Sequence, residues 1–437
     1  MSGRKTALNV LIACRKEGGW SNGVLKEYLH RDRLDRRDGA LATRLCYGVL
    51  QNRLLLDHYL QQLLTGKLKN LHPVIHDILH LGLYQLYFMD KIPQSAAVNE
   101  CVALAKQYCK GQKNASALVN AVLHSAIDKK GTLQQPKSYV QRYSHPQVLV
   151  DLLKSYAGKD RLEPMLKANN EIPPVVAQVN TLKTTTARLL ETLQAEGVTA
   201  QMHSWMQDCL VLTGTGDLEK LPSFQSGLFY VQDPASRLSV LCAQLAPDSA
   251  VLDCCAAPGG KSFAAAMAMG GSGRITACDV YEHKVQLLQK GAQRLGLTNI
   301  QAMQRDATKP SDAWQSRFDT VIVDAPCSGY GIIRKKPDIR YKDPATMAQL
   351  PALQLQILEN QSRFVKPGGT LMYSTCTLVR EENEGVVETF LRNNPDFSLE
   401  KLNLPEIFPE NETGMLALFP GQYDTDGFFI ARMRRNL

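Results

Sequence analysis

The sequence predicts an α/β protein: a doubly wound, mostly parallel sheet preceded by an all-α domain and a small α+β module. Three observations carry that expectation. Residues 1 to about 140 show helical apolar spacing without strand-type alternation, residues 145 to about 225 are mixed, and strict β–α alternation runs from about 240 to the end. The expected boundaries are 1–142, 143–226 and 227–437. A chain of 437 residues is long enough for two to three domains.

In the first domain, Leu41, Leu45, Val49, Leu56, Tyr59 and Leu60 fall near helical spacing, and "HPVIHDILHLGLYQLYFM" and "QSAAVNECVALAKQYC" repeat the pattern. Gly39, Pro73, Pro93 and Gly111 punctuate between the segments. His72, His76 and His80 share one helical face, but no nearby carboxylate or cysteine completes a metal shell, so no metal site is expected. In the middle stretch, "PPVVAQVNTL" and "CLVLTG" read as strands, and "TTTARLLETLQAEG" as a helix with a Thr cap. In the last, "AVLDC", "RITACD", "IQAMQRD", "FDTVIVDAP" and "TLMYSTC" are strands, the last entered through a Gly-Gly turn. Helices alternate with them, including "MAQLPALQLQILENQSRFV" with Pro351 inside it, and "GFFIARMR" closes the chain.

The net charge of +8 points mildly toward a polyanionic partner, and it is unevenly spread. Residues 1–60 carry eleven Lys/Arg against six Asp/Glu, a local +5, and "RKKPDIRYK" (334–342) carries five basic residues against one acid. The eleven cysteines are scattered, with only Cys254 and Cys255 adjacent and no C-x-x-C, which suggests reduced thiols and a cytoplasmic protein. No apolar run reaches 18 residues, so no membrane span is expected.

In an open α/β sheet, ligands bind outside the carboxyl ends of the strands. The five strand ends here carry Asp253, Asp279, Asp306, Asp324 and Cys376. After the first strand, "CCAAPGGK" supplies a small, flexible loop at a helix start. Its "GKS" imitates a Walker A ending, but position 255 is Cys where that motif needs Gly, and G-x-G-x-x-G is missing too. Asp279, 19 residues after Gly260, stands where a ribose-binding carboxylate belongs. A ribose-bearing cofactor without a pyrophosphate fits: S-adenosylmethionine.

Taken together, "DCCAAPGGK", "DAPCSGYG" with the following "RKKPDI", and "YSTC…EENE" resemble the RNA 5-methylcytosine methyltransferase family, and most closely its Sun/RsmB type. The resemblance covers essentially the whole chain. It implies an all-α NusB-like RNA-binding domain, a small RRM-like module and a Rossmann-like S-adenosylmethionine-dependent methyltransferase domain. By the same resemblance, Cys255, Ala256, Ala257, Pro258, Gly259, Gly260 and Lys261 hold the methionine end of the cofactor, Asp279 its ribose, and Asp306 lies near the adenine. Asp324 borders the same site, and Cys327 and Cys376 are both active-site thiols. Thr377 stands where the family usually has Ser, and Cys254 where Leu or Met is common.

Two thiols suit that chemistry. Carbon 5 of cytosine is a poor nucleophile until a thiolate adds at carbon 6. Asp324 is the expected acid near ring nitrogen 3, protonated through burial beside the other carboxylates. Position alone does not decide which cysteine attacks; the family resembled uses the Thr-Cys thiol, which implies Cys376 as nucleophile and Cys327 assisting release. "RKKPDIRYK" is expected to grip phosphates beside a looped or flipped base. The substrate expected is small-subunit ribosomal RNA, the enzyme a monomer. The alternatives are a transfer-RNA cytosine-5 methyltransferase and, from another class, a non-catalytic RNA-binding or antitermination-type protein.

Overall fold

The computed structural model describes residues 2–17 and 21–437. They divide into two compact units, one of Met1–Glu171 with Ile333–Lys342, the other of Ile172–Ile332 with Asp343–Leu437. Among the described residues, no helix is long and apolar enough to cross a membrane.

Among its described residues the first unit holds helices and no strand, as the apolar spacing of residues 1 to about 140 predicts; it also takes in 143–171, expected in the middle module, and 333–342, expected in the last domain. Its main helices are Gly3–Glu17, Ser21–Asp32, Arg36–Leu63, Pro73–Phe88, Gln94–Tyr108, Ala115–Asp128 and Gln147–Ala168. The Arg36–Leu63 helix starts where the Asp35 carboxylate accepts the Asp38 N–H, and it buries Leu45, Val49, Leu56 and Leu60. Gly48 lets this helix lie against the Pro73–Phe88 helix, since a Cβ there would stand 2.0 Å from the Tyr84 ring. The histidine face resolves differently from its sequence reading. His72 caps its helix by accepting the Val74 N–H, while Asp57, from the Arg36–Leu63 helix, meets both His76 Nε2 (2.6 Å) and His80 Nε2 (2.8 Å) through one Oδ1. The carboxylate that looked missing arrives from 19 residues upstream of His76.

The basic run also lands where its charge did not suggest. Ile333–Lys342 belongs to the helical unit, and Arg340 is 1% exposed within it. Its Nη1 reaches the carbonyls of Gln51 (2.9 Å) and Ser144 (3.1 Å) and Oδ1 of Asn170 (2.9 Å), and its Nη2 reaches the Asn169 carbonyl (3.2 Å). Burial lowers its pKa to about 10, still well above neutrality. Arg340 is therefore an internal fastener rather than part of a phosphate grip.

The second unit holds two sheets. Strands β1 (Val175–Val179), β2 (Thr199–Met202), β3 (Cys209–Thr213) and β4 (Phe229–Val231) form an antiparallel sheet in the order β2-β3-β1-β4. The helix Thr186–Ala195 starts at the expected cap, where Thr185 Oγ1 accepts the Arg188 N–H. The larger sheet contains β5 (Ala250–Asp253), β6 (Arg274–Asp279), β7 (Ile300–Gln304), β8 (Phe318–Asp324), β9 (Val365–Thr375), β10 (Phe397–Leu399), β11 (Met415–Leu418) and β12 (Phe428–Arg435). Its order is β10-β12-β9-β8-β5-β6-β7, with β11 on β12. The run from β9 to β7 is parallel, and β12 adds antiparallel to β9.

Two local expectations are revised. The Gly-Gly pair lies within β9, where the pairing with β8 jumps from Phe318↔Val365 to Thr320↔Thr370, and Gly368 takes φ +71° to absorb the irregularity. Pro351 sits in the first turn of the helix Leu350–Ser362, where its missing N–H leaves no bond unmade.

One stability test follows. Arg340→Met leaves several buried acceptors without a donor, each worth ~1–3 kcal/mol, so denaturant unfolding should show a loss of about 3 kcal/mol or more. Arg340→Lys should recover little, because an ammonium cannot span the same fork of acceptors. An unchanged unfolding midpoint in Arg340→Met would remove this role.

Candidate active site

Strand order reverses between β5 and β8, so the crevice beyond their carboxyl ends is the switch point at which such sheets bind ligands. Asp253 ends β5 and Asp324 ends β8, side by side at that point. Asp253 is fully buried; its Oδ2 accepts Ser262 Oγ–H at 2.7 Å, and its Oδ1 has no partner. Burial raises its pKa to about 7.

The loop after β5 is shaped by its small residues. The Ala256 N–H donates to the Cys278 carbonyl at 2.7 Å, the Ala257–Pro258 bond is cis, and Gly259 has φ +115°. A Cβ on Gly259 would stand 2.3 Å from the Phe263 ring, so only glycine fits. Gly260 then opens the helix Gly260–Ala268, leaving that helix start open to a ligand. Cys255 keeps partial exposure, with its sulfur 3.9 Å from that of Cys254.

Asp279, at the end of β6, is largely buried; its Oδ1 accepts the Tyr281 N–H at 3.1 Å and lies 3.9 Å from Lys284 Nζ. Asp306 follows β7 and bonds Thr308 through one oxygen, accepting its Oγ1–H at 2.7 Å and its N–H at 2.9 Å, which lowers the carboxyl pKa. An orphaned carboxylate oxygen, a glycine-shaped loop and a strand-end carboxylate next door suit a cationic, ribose-bearing cofactor. Asp253 would meet its ammonium group, the loop its methionine backbone and Asp279 its ribose.

Lys261 points its ammonium across to β8. Its Nζ lies 2.7 Å from Asp324 Oδ2 and 2.9 Å from Ser236 Oγ, with the Phe428 ring centroid at 5.1 Å. Ser374 donates to the other oxygen, Oδ1, at 2.8 Å. The sequence reading expected Asp324 to be an acid crowded by carboxylates; its near neighbour is instead a cation, brought from the first strand's loop. The Asp324 oxygens are both acceptors in this arrangement.

The two cysteines meet. Cys327, in the loop after β8, and Cys376, one residue beyond β9, stand Sγ to Sγ at 3.3 Å. Adjacent parallel strands bring their following loops together. Ser328 Oγ and Thr377 Oγ1, each the next residue along, share a hydrogen bond at 2.6 Å. The Cys327 thiol is pushed well above its ordinary pKa, first by its hydrogen bond with Cys376, then by burial and by the charges of Cys376, Glu382 and Asp324. Sequence reasoning missed Ser236, Ser262, Ser374 and Glu382. Ser262, Ser374 and Glu382 each lay inside a quoted motif, "GKS", "YSTC" and "EENE", without being given a role.

Comparison with known proteins agrees with this architecture. Residues 240–434 match the family model 16S rRNA methyltransferase RsmB/F, residues 1–128 the NusB family, and residues 145–219 the RsmF/B-like ferredoxin-like domain. The chain is 38% identical to "Probable ribosomal RNA small subunit methyltransferase B" of Bacillus subtilis (strain 168), over 99% of this chain and 98% of that one. It is 37% identical to ribosomal RNA small subunit methyltransferase B of Vibrio cholerae, over 90% of this chain and 89% of that one. The crystal structure of PH0851 superposes with a TM-score of 0.82 and 25% identity, over 100% of this chain and 99% of that one.

Two measurements test the site. Asp279→Ala should weaken S-adenosylmethionine binding at least tenfold by calorimetry, about 1.4 kcal/mol, the scale of a lost charge-assisted hydrogen bond. Asp253 titrates higher folded, near 7, than unfolded, near 3.8, so its contribution to stability is fully present below the unfolded value and is lost as pH rises toward 7. Asp253→Asn should therefore flatten the fall in melting temperature between about pH 4 and 7; an identical slope in both proteins would remove Asp253 as its source.

Proposed function

The chain belongs to the RsmB/F family of 16S rRNA methyltransferases, and on that premise we propose that it methylates carbon 5 of a cytosine in small-subunit (16S) ribosomal RNA through a covalent cysteine–cytosine intermediate. S-adenosylmethionine is the methyl donor of this family and, when bound, supplies an electrophilic methyl group. The single observation that carries the cytosine-5 reading is the pair of thiols 3.3 Å apart beside the Lys261–Asp324 ion pair. A methyltransferase acting on an oxygen or an exocyclic nitrogen, already a nucleophile, has no use for two facing sulfurs.

The roles follow from protonation. The hydrogen bond with Cys376, burial and the nearby Glu382 and Asp324 charges hold the Cys327 thiol above its ordinary pKa, so we assign it the proton that the two sulfurs share. Cys376 is then the sulfur that carries negative charge and adds to carbon 6. Asp324, with both oxygens accepting, is suited to take a hydrogen bond from the exocyclic amino group of cytosine, while Lys261 holds the carboxylate in place. At the end of the cycle, carbon 5 gives up its proton to solvent water, those electrons restore the ring double bond, and the bond between carbon 6 and sulfur breaks with its electron pair left on Cys376. A Cys327 S–H bonded to the departing sulfur makes it a better leaving group.

The ribosomal substrate is supported by the names of the relatives; a transfer-RNA substrate would use the same chemistry. Mapping of 5-methylcytosine by mass in total RNA, with and without the gene, separates the two. We place the reaction in the cytoplasm, on a single-stranded loop or a flipped base, with the enzyme acting as a monomer.

Cys376→Ala should abolish methylation and any protein–RNA adduct. Cys327→Ala should still add, methylate and then stall, so RNA-linked protein accumulates as a shifted band on a denaturing gel. The reverse pattern would exchange the roles, and full activity with no adduct in any variant would end the covalent mechanism.

A further inference from the structure

The "EENE" segment after Cys376 carries no role in the chemistry above, yet two of its side chains are buried against both cysteine loops. Glu382 and Asn383 are each 2% exposed. Glu382 Oε2 accepts the Ser328 N–H at 2.9 Å, next to Cys327, and Nε2 of the fully buried Gln354 at 2.8 Å. Gln354 Nε2 also donates to the Pro326 carbonyl at 2.9 Å, so both neighbours of Cys327 are held. Asn383 does the same for Cys376. Its Oδ1 accepts Thr375 Oγ1–H at 2.6 Å, and its Nδ2 donates to the Thr377 carbonyl at 3.1 Å. The Glu382 carbonyl accepts Tyr373 O–H at 2.6 Å, which ties the pair back to β9.

We propose that Glu382 and Asn383 are positioning residues that clamp the two cysteine loops, one each, and set the facing geometry of the two sulfurs. Consecutive residues of one short segment hold the flanks of both thiols, so neither sulfur shifts without disturbing the other's support. The proposal rests on the thiol chemistry given above for the reason the geometry matters, but it concerns placement and is testable apart from that chemistry. Misplacement of a reacting group by about 1 Å lowers rate by ~10²-fold, far more than it lowers affinity. Burial raises the Glu382 pKa, and its carboxylate, when charged, opposes ionisation of Cys327. The charged or titratable groups facing that thiol include Cys376, Glu382, Asp324 and Tyr373.

The test uses the full chain with three variants: Asn383→Ala, Glu382→Ala and Glu382→Gln. The last keeps the accepting oxygen and removes the charge. Geometry is read as the rate at which diamide, a two-electron oxidant, joins Cys327 to Cys376 as a disulfide, scored by mass. We expect Asn383→Ala and Glu382→Ala to slow that rate and kcat at least about tenfold, with the RNA KM and S-adenosylmethionine affinity within about twofold. Glu382→Gln should move the pH midpoint for alkylation of Cys327 down and, compared at equal thiolate fraction, keep the disulfide rate near wild type. Wild-type disulfide rates in folded Asn383→Ala and Glu382→Ala overturn the proposal. If those two do not fold, Glu382→Gln decides: a slowed disulfide rate or an unmoved alkylation midpoint overturns it. Failure of the cytosine-5 reading shows separately, as Cys327→Ala protein that forms no adduct with RNA while both thiol readouts in the other variants behave as expected.

Discussion

The contact between Lys261 and Asp324 is the constraint around which the site is organised. It joins the loop after β5 to the end of β8 across the point where strand order reverses. An ammonium that is 8% exposed needs a partner, and its carboxylate, a hydroxyl and an aromatic ring all stand within reach. The same bond places the loop that suits the cofactor and the strand that leads to Cys327. Removing either partner leaves an unpaired charge at the floor of the crevice. That explains why a lysine, whose charge could have served the cofactor loop, is turned toward the catalytic strand.

The two thiols share one local setting. Both follow adjacent parallel strands, and both neighbours are hydroxyl residues joined to each other. Cys327 also lies near Glu382 and Asp324, whose negative charge opposes its ionisation.

Much of the catalytic unit was legible because it is local. Strand–helix alternation, the glycine-shaped loop, the strand-end carboxylates and the two cysteines are each written within a few consecutive residues, and parallel pairing carries them to one edge without further information. The Thr185 cap was legible for the same reason. Pro351 was misread as a helix interior, although a proline at a first turn is the commoner solution. The Gly-Gly pair looked like a turn because an irregularity inside a strand and a turn between strands use the same residues.

What the sequence determined by itself is therefore the order of elements, the loop that only glycine can form, and the set of groups at the strand ends. Tertiary structure alone decided which charge meets which. Asp57 reaches His76 and His80 from another helix, Arg340 is buried among carbonyls instead of facing phosphate, Lys261 pairs with Asp324, and Glu382 and Asn383 hold opposite cysteine loops. The physical reason is common to all of them. A backbone conformation is set by neighbours in the chain, whereas the protonation and direction of a polar side chain are set by burial and by partners that arrive from tens to hundreds of residues away.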